Sequence, residues 1–228
     1  MIILQSSTGV YVFIGHFAVA FAAKKVAPKT NLATLFAASQ LVDLLWPIFL
    51  LLGLESVRID PGNTAFTPLD FYNYPITHSL IGAIGWSILF GAVYYFRRRL
   101  SREAMVAALV VFSHWFLDLL THRPDLPILG NDSTKLGLGL WNNVAATIIV
   151  EFGIFFTGLF LYTQSTTAKN KTGTYAFYGL AAFLFLIHLG NILGPTPPNE
   201  QMIAVAGNTM WLFVLWAWWI ERNRITTI

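Results

Sequence analysis

Long apolar stretches alternate with short polar ones along the whole chain. Seven of them reach or approach the roughly 20 residues that cross a hydrocarbon core as a helix. They lie near 6–26, 31–54, 76–96, 103–121, 141–162, 174–194 and 201–220. The pattern predicts an all-α fold: a polytopic bundle of about seven transmembrane helices, forming one integral membrane domain over residues 1–228. Alternate connections differ in kind. Residues 55–75 contain Pro61-Gly62-Asn63, Pro68 and Pro75, and residues 122–140 contain Pro124, Pro127, Gly130 and Asn131-Asp132. Both are rich in turn formers and lack a helical period. The connections at the other end are short and basic. Long loops gathered on one face usually carry function, whereas short ones join elements. No internal repeat, low-complexity tract or second domain interrupts the pattern.

Charge gives the bundle a direction. Lys24, Lys25 and Lys29 fall between spans one and two, and Arg97, Arg98, Arg99 and Arg102 between three and four. Lys169 and Lys171 fall between five and six, and Arg222 and Arg224 follow span seven. Basic connections face the cytoplasm, so the N-terminus is expected outside and the C-terminus inside. Trp216, Trp218 and Trp219 ahead of Arg222 read as an interfacial belt. Composition agrees with a membrane protein. Only 11% of residues are charged, against roughly 25% in a soluble domain. The net charge of +3 does not signal nucleic acid, because no basic run interleaves with exposed aromatics. Cysteine is absent, which excludes disulfides and thiolate metal sites. The first segment lacks a basic leader and an Ala-x-Ala-like exit, so no cleavable signal is expected.

A few ionisable residues stand at hydrocarbon depth, where each is costly unless it faces a cavity, a partner or an ion. They are His16, Asp43, His78, Glu151, His188 and the run His114-x3-Asp118-x3-His122. All fall at mid-membrane or in the outer half, while the inner half holds almost nothing ionisable. One polar cavity open to the outer face accounts for that asymmetry. His114 and Asp118 are four residues apart, so about 6 Å along one helix face, a workable spacing for two ligands of one ion. Imidazole and carboxylate are ordinary zinc ligands and also suit iron or manganese. His16, Asp43 and His78 are the candidates to complete the shell. His122 is about 12 Å along the axis from His114, so it serves a second ion, handles substrate, or is an interfacial residue beside Arg123. Glu151 lies about 15 Å below the outer end of its span. It is either a general base or a structural partner for Asn142, Asn143 or a histidine. Asp43 has a structural alternative too, and His188 reads as a packed, hydrogen-bonded histidine.

At these residues the chain resembles a known family, the predicted membrane-bound metal-dependent hydrolases, also described as LexA-binding, inner-membrane-associated hydrolases. The matching pieces are Gly15-His16, Asp43 before Trp46-Pro47, Thr77-His78-Ser79-Leu80, and Ser113-His114 followed by Asp118 and Thr121-His122. The resemblance covers roughly residues 10–125. Family members often read His-Arg-Gly-x-Thr-His-Ser, where this chain has Tyr74-Pro75-Ile76 before Thr77. The acidic motif of span two is often doubled, and here Asp43 stands alone. The family is in turn distantly similar to zinc-dependent phospholipases C and P1-type nucleases, which implies phosphoester chemistry, while its own inner-membrane association implies a bacterial cytoplasmic membrane.

The expected function is therefore hydrolysis of a lipid-linked phosphoester near the outer leaflet, with one or two divalent ions, zinc foremost and manganese or iron as alternatives. Glu151 and His122 are the candidates for acid–base work. Arg123, Arg58 and Lys135 in the outer loops are the candidates for neutralising phosphate. Two rival classes remain: a transporter or ion-conducting protein using His16, Asp43 and Glu151, and a haem protein with axial histidines. Haem does not explain Asp43, Asp118 and Glu151.

Overall fold

A backbone in hydrocarbon has no water to bond, so an apolar stretch satisfies its N–H and C=O groups internally as helix. The computed structural model describes residues 14–228, and the first part of the first expected span lies outside the described residues. The helices are α1 (Ile14–Val26), α2 (Leu32–Ser39), α3 (Leu41–Leu51), α4 (Pro75–His78), α5 (Leu80–Arg98) and α6 (Ser101–Thr121). After a 3-10 turn at Leu140–Asn142 come α7 (Val144–Ser165), α8 (Lys171–Leu193), α9 (Glu200–Asn208) and α10 (Trp211–Arg222). Five helices among the described residues are long and apolar enough to cross a membrane, counting α9 and α10 as one, and six if the bent α2–α3 pair is a single span.

Two expected spans are broken, and both breaks lie beside the polar residues. The second divides at Gln40, where α2 and α3 meet at 56°. Asp43 thereby falls in the first turn of α3, where the positive end of the helix dipole favours a carboxylate. Pro47 has no N–H for the Asp43 carbonyl four residues back, which loosens the same turn. The third span does not open at His78. That residue ends the short α4, and Ser79 turns extended and caps α5 by accepting the Gly82 N–H at 2.9 Å.

The expectation of an all-α chain needs correction in the loops, where water lets short extended pieces pair. β1 (Ser56–Ile59) and β2 (Leu69–Asn73) form an antiparallel hairpin that sets Arg58 opposite Asp70. β3 (Leu126–Pro127) pairs with β4 (Lys135–Leu136), and at the basic end β5 (Thr166–Ala168) pairs with β6 (Arg224–Thr226).

α1 lies at the centre, against α7, α2 and α6. Phe17, Phe21, Phe36, Phe155, Tyr162 and Phe177 fill the space around it. α1 and α7 pack closely where Gly158 of α7 faces Ala18, since an added Cβ would lie 2.4 Å from the Ala18 carbonyl oxygen. A second cluster, including Trp46, Phe71, Tyr74, Leu126 and Trp141, ties the two long loops to the end of the bundle. The basic end is not free of buried charge, contrary to the sequence expectation. Lys24 is 1% exposed, and its Nζ donates to Glu221 Oε1 at 2.6 Å and to the Thr30 carbonyl at 2.8 Å. Those two partners come from a turn and from the far end of the chain, so local hydropathy could not place them.

Candidate metal centre

Asp118 is the hub of the buried polar residues. Its Oδ1 lies 3.2 Å from His16 Nε2 and 4.0 Å from His122 Nε2. Its Oδ2 lies 3.3 Å from His114 Nε2 and 3.9 Å from His78 Nε2. Asp43 faces the same histidines, with Oδ1 3.2 Å from His78 Nε2 and Oδ2 3.5 Å from His114 Nε2. The five expected ligands therefore converge from α1, α3, α4 and α6. His114 and Asp118 share the buried face of α6 with Val111 and Trp115. α6 ends at Thr121, and His122, in extended conformation, turns its ring back toward the carboxylate one helical turn below. The axial distance from His114 thus misjudges its reach.

Hydrogen bonds on the far side of each ring determine which nitrogen faces the cluster. His114 Nδ1 is 2.8 Å from the Ser39 carbonyl oxygen. A carbonyl only accepts, so Nδ1 carries the proton and, in the neutral ring, Nε2 the lone pair. The Thr77 hydroxyl donates its proton to Glu55 Oε2 at 2.7 Å and so accepts from His78 Nδ1, 2.6 Å away. His122 Nδ1 donates to Asp125 Oδ1 at 2.9 Å. These tautomers follow from the partners. Three Nε2 lone pairs are thus aimed at carboxylate oxygens, a repulsive arrangement unless a proton or a cation lies between them. Among the described residues the buried His114 Nε2 and Asp118 Oδ2, 3.3 Å apart, have no hydrogen-bond partner of good geometry.

A divalent metal fits this donor set. Bonds of about 2.0–2.2 Å in a tetrahedral shell space ligand atoms about 3.3–3.6 Å apart, and the His78 and His114 contacts to Asp43 and Asp118 span 3.2–3.9 Å. Two overlapping triads have ligand atoms within 4.8 Å of one another, His16-His114-Asp118 and Asp43-His78-His114. A narrow cavity of about 40 Å³ opens beside them, with Asp43, His78, Asp118 and His122 on one side and Trp46, Phe71 and Met210 on the other. That is room for an ion with a water or two.

The residues behind the ligands went unrecognised in the sequence. Buried Glu55 accepts the Ile76 and Thr77 N–H groups at 2.7 and 2.8 Å as well as the Thr77 hydroxyl. Asp125 receives the Tyr74 hydroxyl at 2.9 Å besides His122. Burial, and then the Asp125 carboxylate, push the Tyr74 phenol well above its ordinary pKa, so it stays a donor. Burial alone would lower His122, but the carboxylates of Asp125, Asp118 and Asp43 together outweigh it and hold the imidazole above its usual value. Asp125 had a local signal, three residues after a histidine in a turn. Glu55 had none, because it meets Thr77 only through the fold.

Other expected residues stand outside the cluster. Glu151 accepts the N–H of Gly15, the residue that precedes His16, at 2.7 Å; Asn143 instead caps α7 through the Ala146 N–H. Arg58 and Arg123 both grip Asp70, at 2.6 Å for Arg58, and Arg123 also reaches Asp125 at 3.5 Å. Lys135 is half-buried on β4. His188 packs against the rings of Phe66 and Phe152, with centroids 5.8 and 5.4 Å away.

No protein-family model, curated protein or solved structure matches the chain. If Thr77 orients His78, Thr77→Val should weaken zinc binding by about 10–100-fold, the usual range for outer-shell partners. Thr77→Ser should restore it. Competition titration with a zinc-chelating dye decides this, and equal affinity for wild type and the valine variant refutes the relay.

Proposed function

We propose that the chain is an integral-membrane, divalent-metal-dependent hydrolase acting on a lipid-linked phosphoester. The observation that carries this reading is the set of three histidines whose Nδ1 atoms are tied to acceptors and whose Nε2 atoms face Asp43 and Asp118. His78, His114, Asp43 and Asp118 would hold one ion. His16, with the other oxygen of Asp118, would anchor a second where two are bound, beside the His114 ring. Zinc suits this donor set best, with manganese or iron as alternatives. When bound, the metal would lower the pKa of a coordinated water and polarise the substrate's phosphoryl oxygen.

The chain's own residues supply the remainder. In the one-ion arrangement His122 is the cavity-lining titratable residue not used as a ligand, its Nε2 would accept the proton, and Asp125 would stabilise the imidazolium that forms. Glu151, bonded to the backbone of α1, holds His16 in place and is the alternative base. Trp46, Phe71, Ile203 and Met210 line the cavity and suit an amphiphile whose apolar part stays near lipid. Lys135, with Arg58 and Arg123 once displaced from Asp70, would meet the phosphate. The preference for a phosphoester rests on the resemblance to membrane-bound hydrolases and is an analogy.

The same reading counts α1 and the bent α2–α3 pair as spans, for seven in all, with the N-terminus outside a bacterial cytoplasmic membrane. Single cysteines at Ser101 and Asn131 should then label from opposite sides, and labelling from one side overturns the orientation. The function itself is tested on protein purified after zinc, manganese or iron supplementation. One or two ions per chain and chelator-sensitive cleavage of an acyl-chain phosphodiester are expected. Absence of all three metals overturns the hydrolase and favours a transporter, in which the cluster carries protons.

A further inference from the structure

A second cavity lies at the basic end of the bundle, remote from the His/Asp cluster. It is about 480 Å³, bounded by the α1–α2 turn, the end of α5 and the end of α10. His78 sits just ahead of the first residue of α5 and Arg98 is the last, so the two sites are separated by about 28 Å at 1.5 Å per residue. Lys29, Arg97 and Arg98 are among its lining residues. Among the described residues no carboxylate lies within 4.0 Å of any of the three. Glu221 also lines it, but its Oε1 receives Lys24 Nζ at 2.6 Å and its Oε2 the Leu32 N–H at 3.2 Å. The acidic charge is thereby answered by Lys24 and the Leu32 N–H, and the three cations are not answered by a carboxylate.

Part of the lining is apolar. Phe90 and Val93 form it, and Val93 belongs to the outward face of α5 with Leu89, Ile88 and Phe96, all exposed. The groove therefore runs from a cluster of cations at the membrane–water boundary onto a surface suited to acyl chains. Three cations call for an anion. An apolar wall continuous with the outward face of α5 calls for an anion carrying a chain. A zwitterionic headgroup would bring its ammonium among like charges, and free phosphate would leave the wall unused.

We infer that this groove binds an anionic phospholipid, with the phosphate held by Lys29, Arg97 and Arg98 and the first methylenes against Phe90 and Val93. Basic pockets between helices are suited to anionic headgroups, and each cation near the membrane surface strengthens such binding appreciably. The site is independent of the hydrolase reading and stands if that reading fails.

Native mass spectrometry of the full chain in detergent, titrated with phosphatidylglycerol or phosphatidylcholine of the same acyl composition, tests it. Wild type should bind phosphatidylglycerol at least ten-fold more tightly. R97A/R98A should lose on the order of ten- to thirty-fold. K169A/K171A removes the same charge at the same end of the bundle but away from the groove, and should change binding less than two-fold. Equal affinity for the two lipids overturns the inference, as does equal loss in the two double variants, which would mean diffuse surface charge. Displacement of phosphatidylglycerol by millimolar inorganic phosphate would make this a soluble-anion site and also overturn it. If R97A/R98A unfolds, Val93→Asp is the second variant. It keeps all three cations, and undiminished phosphatidylglycerol binding in it overturns the acyl-chain contact.

Discussion

Asp118→Ala should strip the protein of bound divalent metal and of any hydrolytic activity, with affinity falling by more than the roughly 100-fold upper range for outer-shell partners. The reason is its place between both histidine sets: one oxygen lies 3.2 Å from His16 and the other 3.3 Å from His114. No other carboxylate among the described residues faces both. Folding should survive, because removing a buried carboxylate leaves neutral imidazoles, and bundle packing rests on many apolar contacts. His188→Ala is the control, since its ring packs on Phe66 and Phe152. Metal per chain by elemental analysis of monodisperse protein measures both. Equal loss in the two variants would dissolve the proposed centre into a wider polar network.

The second large effect is on packing, at a distance from the ligands. Gly158→Ala should destabilise the protein by about 1–3 kcal/mol, the usual cost of overpacking. The new Cβ would fall 2.4 Å from the Ala18 carbonyl oxygen and 2.7 Å from Ala18 Cα. Both are backbone atoms, so α1 or α7 must move as a body. Gly153→Ala on the same helix meets nothing within 4 Å, and should be neutral or gain about 0.5–1 kcal/mol from helix propensity. Thermal unfolding in detergent separates the two, and equal midpoints would mean that α1 and α7 do not pack in this way. Because Ala18 lies two residues from His16, Gly158→Ala should also lower metal affinity.

Much of the bundle was legible from hydropathy alone. α5, α6, α7, α8 and the α9–α10 pair lie where apolar length places them. The breaks at Gln40 and Ser79 were not legible, since no glycine or proline marks either position, and the one at Ser79 is capped by a bond that depends on conformation. The three small sheets were hidden for a similar reason. β5 pairs with β6 across more than fifty residues, and β3 and β4 contribute two residues each, too few to show a period.

The site divides along the same line. His16, Asp43, His78, His114 and Asp118 were recognisable because an ionisable group in an apolar stretch carries a cost that local composition reveals. What local composition does not contain is direction. The three-dimensional arrangement alone turned His122 back toward Asp118, set Glu55 behind Thr77 and Asp125 behind His122, and engaged Arg58 and Arg123 with a shared aspartate. Burial cost is a property of a residue and its near neighbours, so the sequence by itself determined which groups sit at depth and which end of the bundle is basic. Which nitrogen meets which oxygen depends on how helices from distant parts of the chain cross and where they break, and only the tertiary structure decided that.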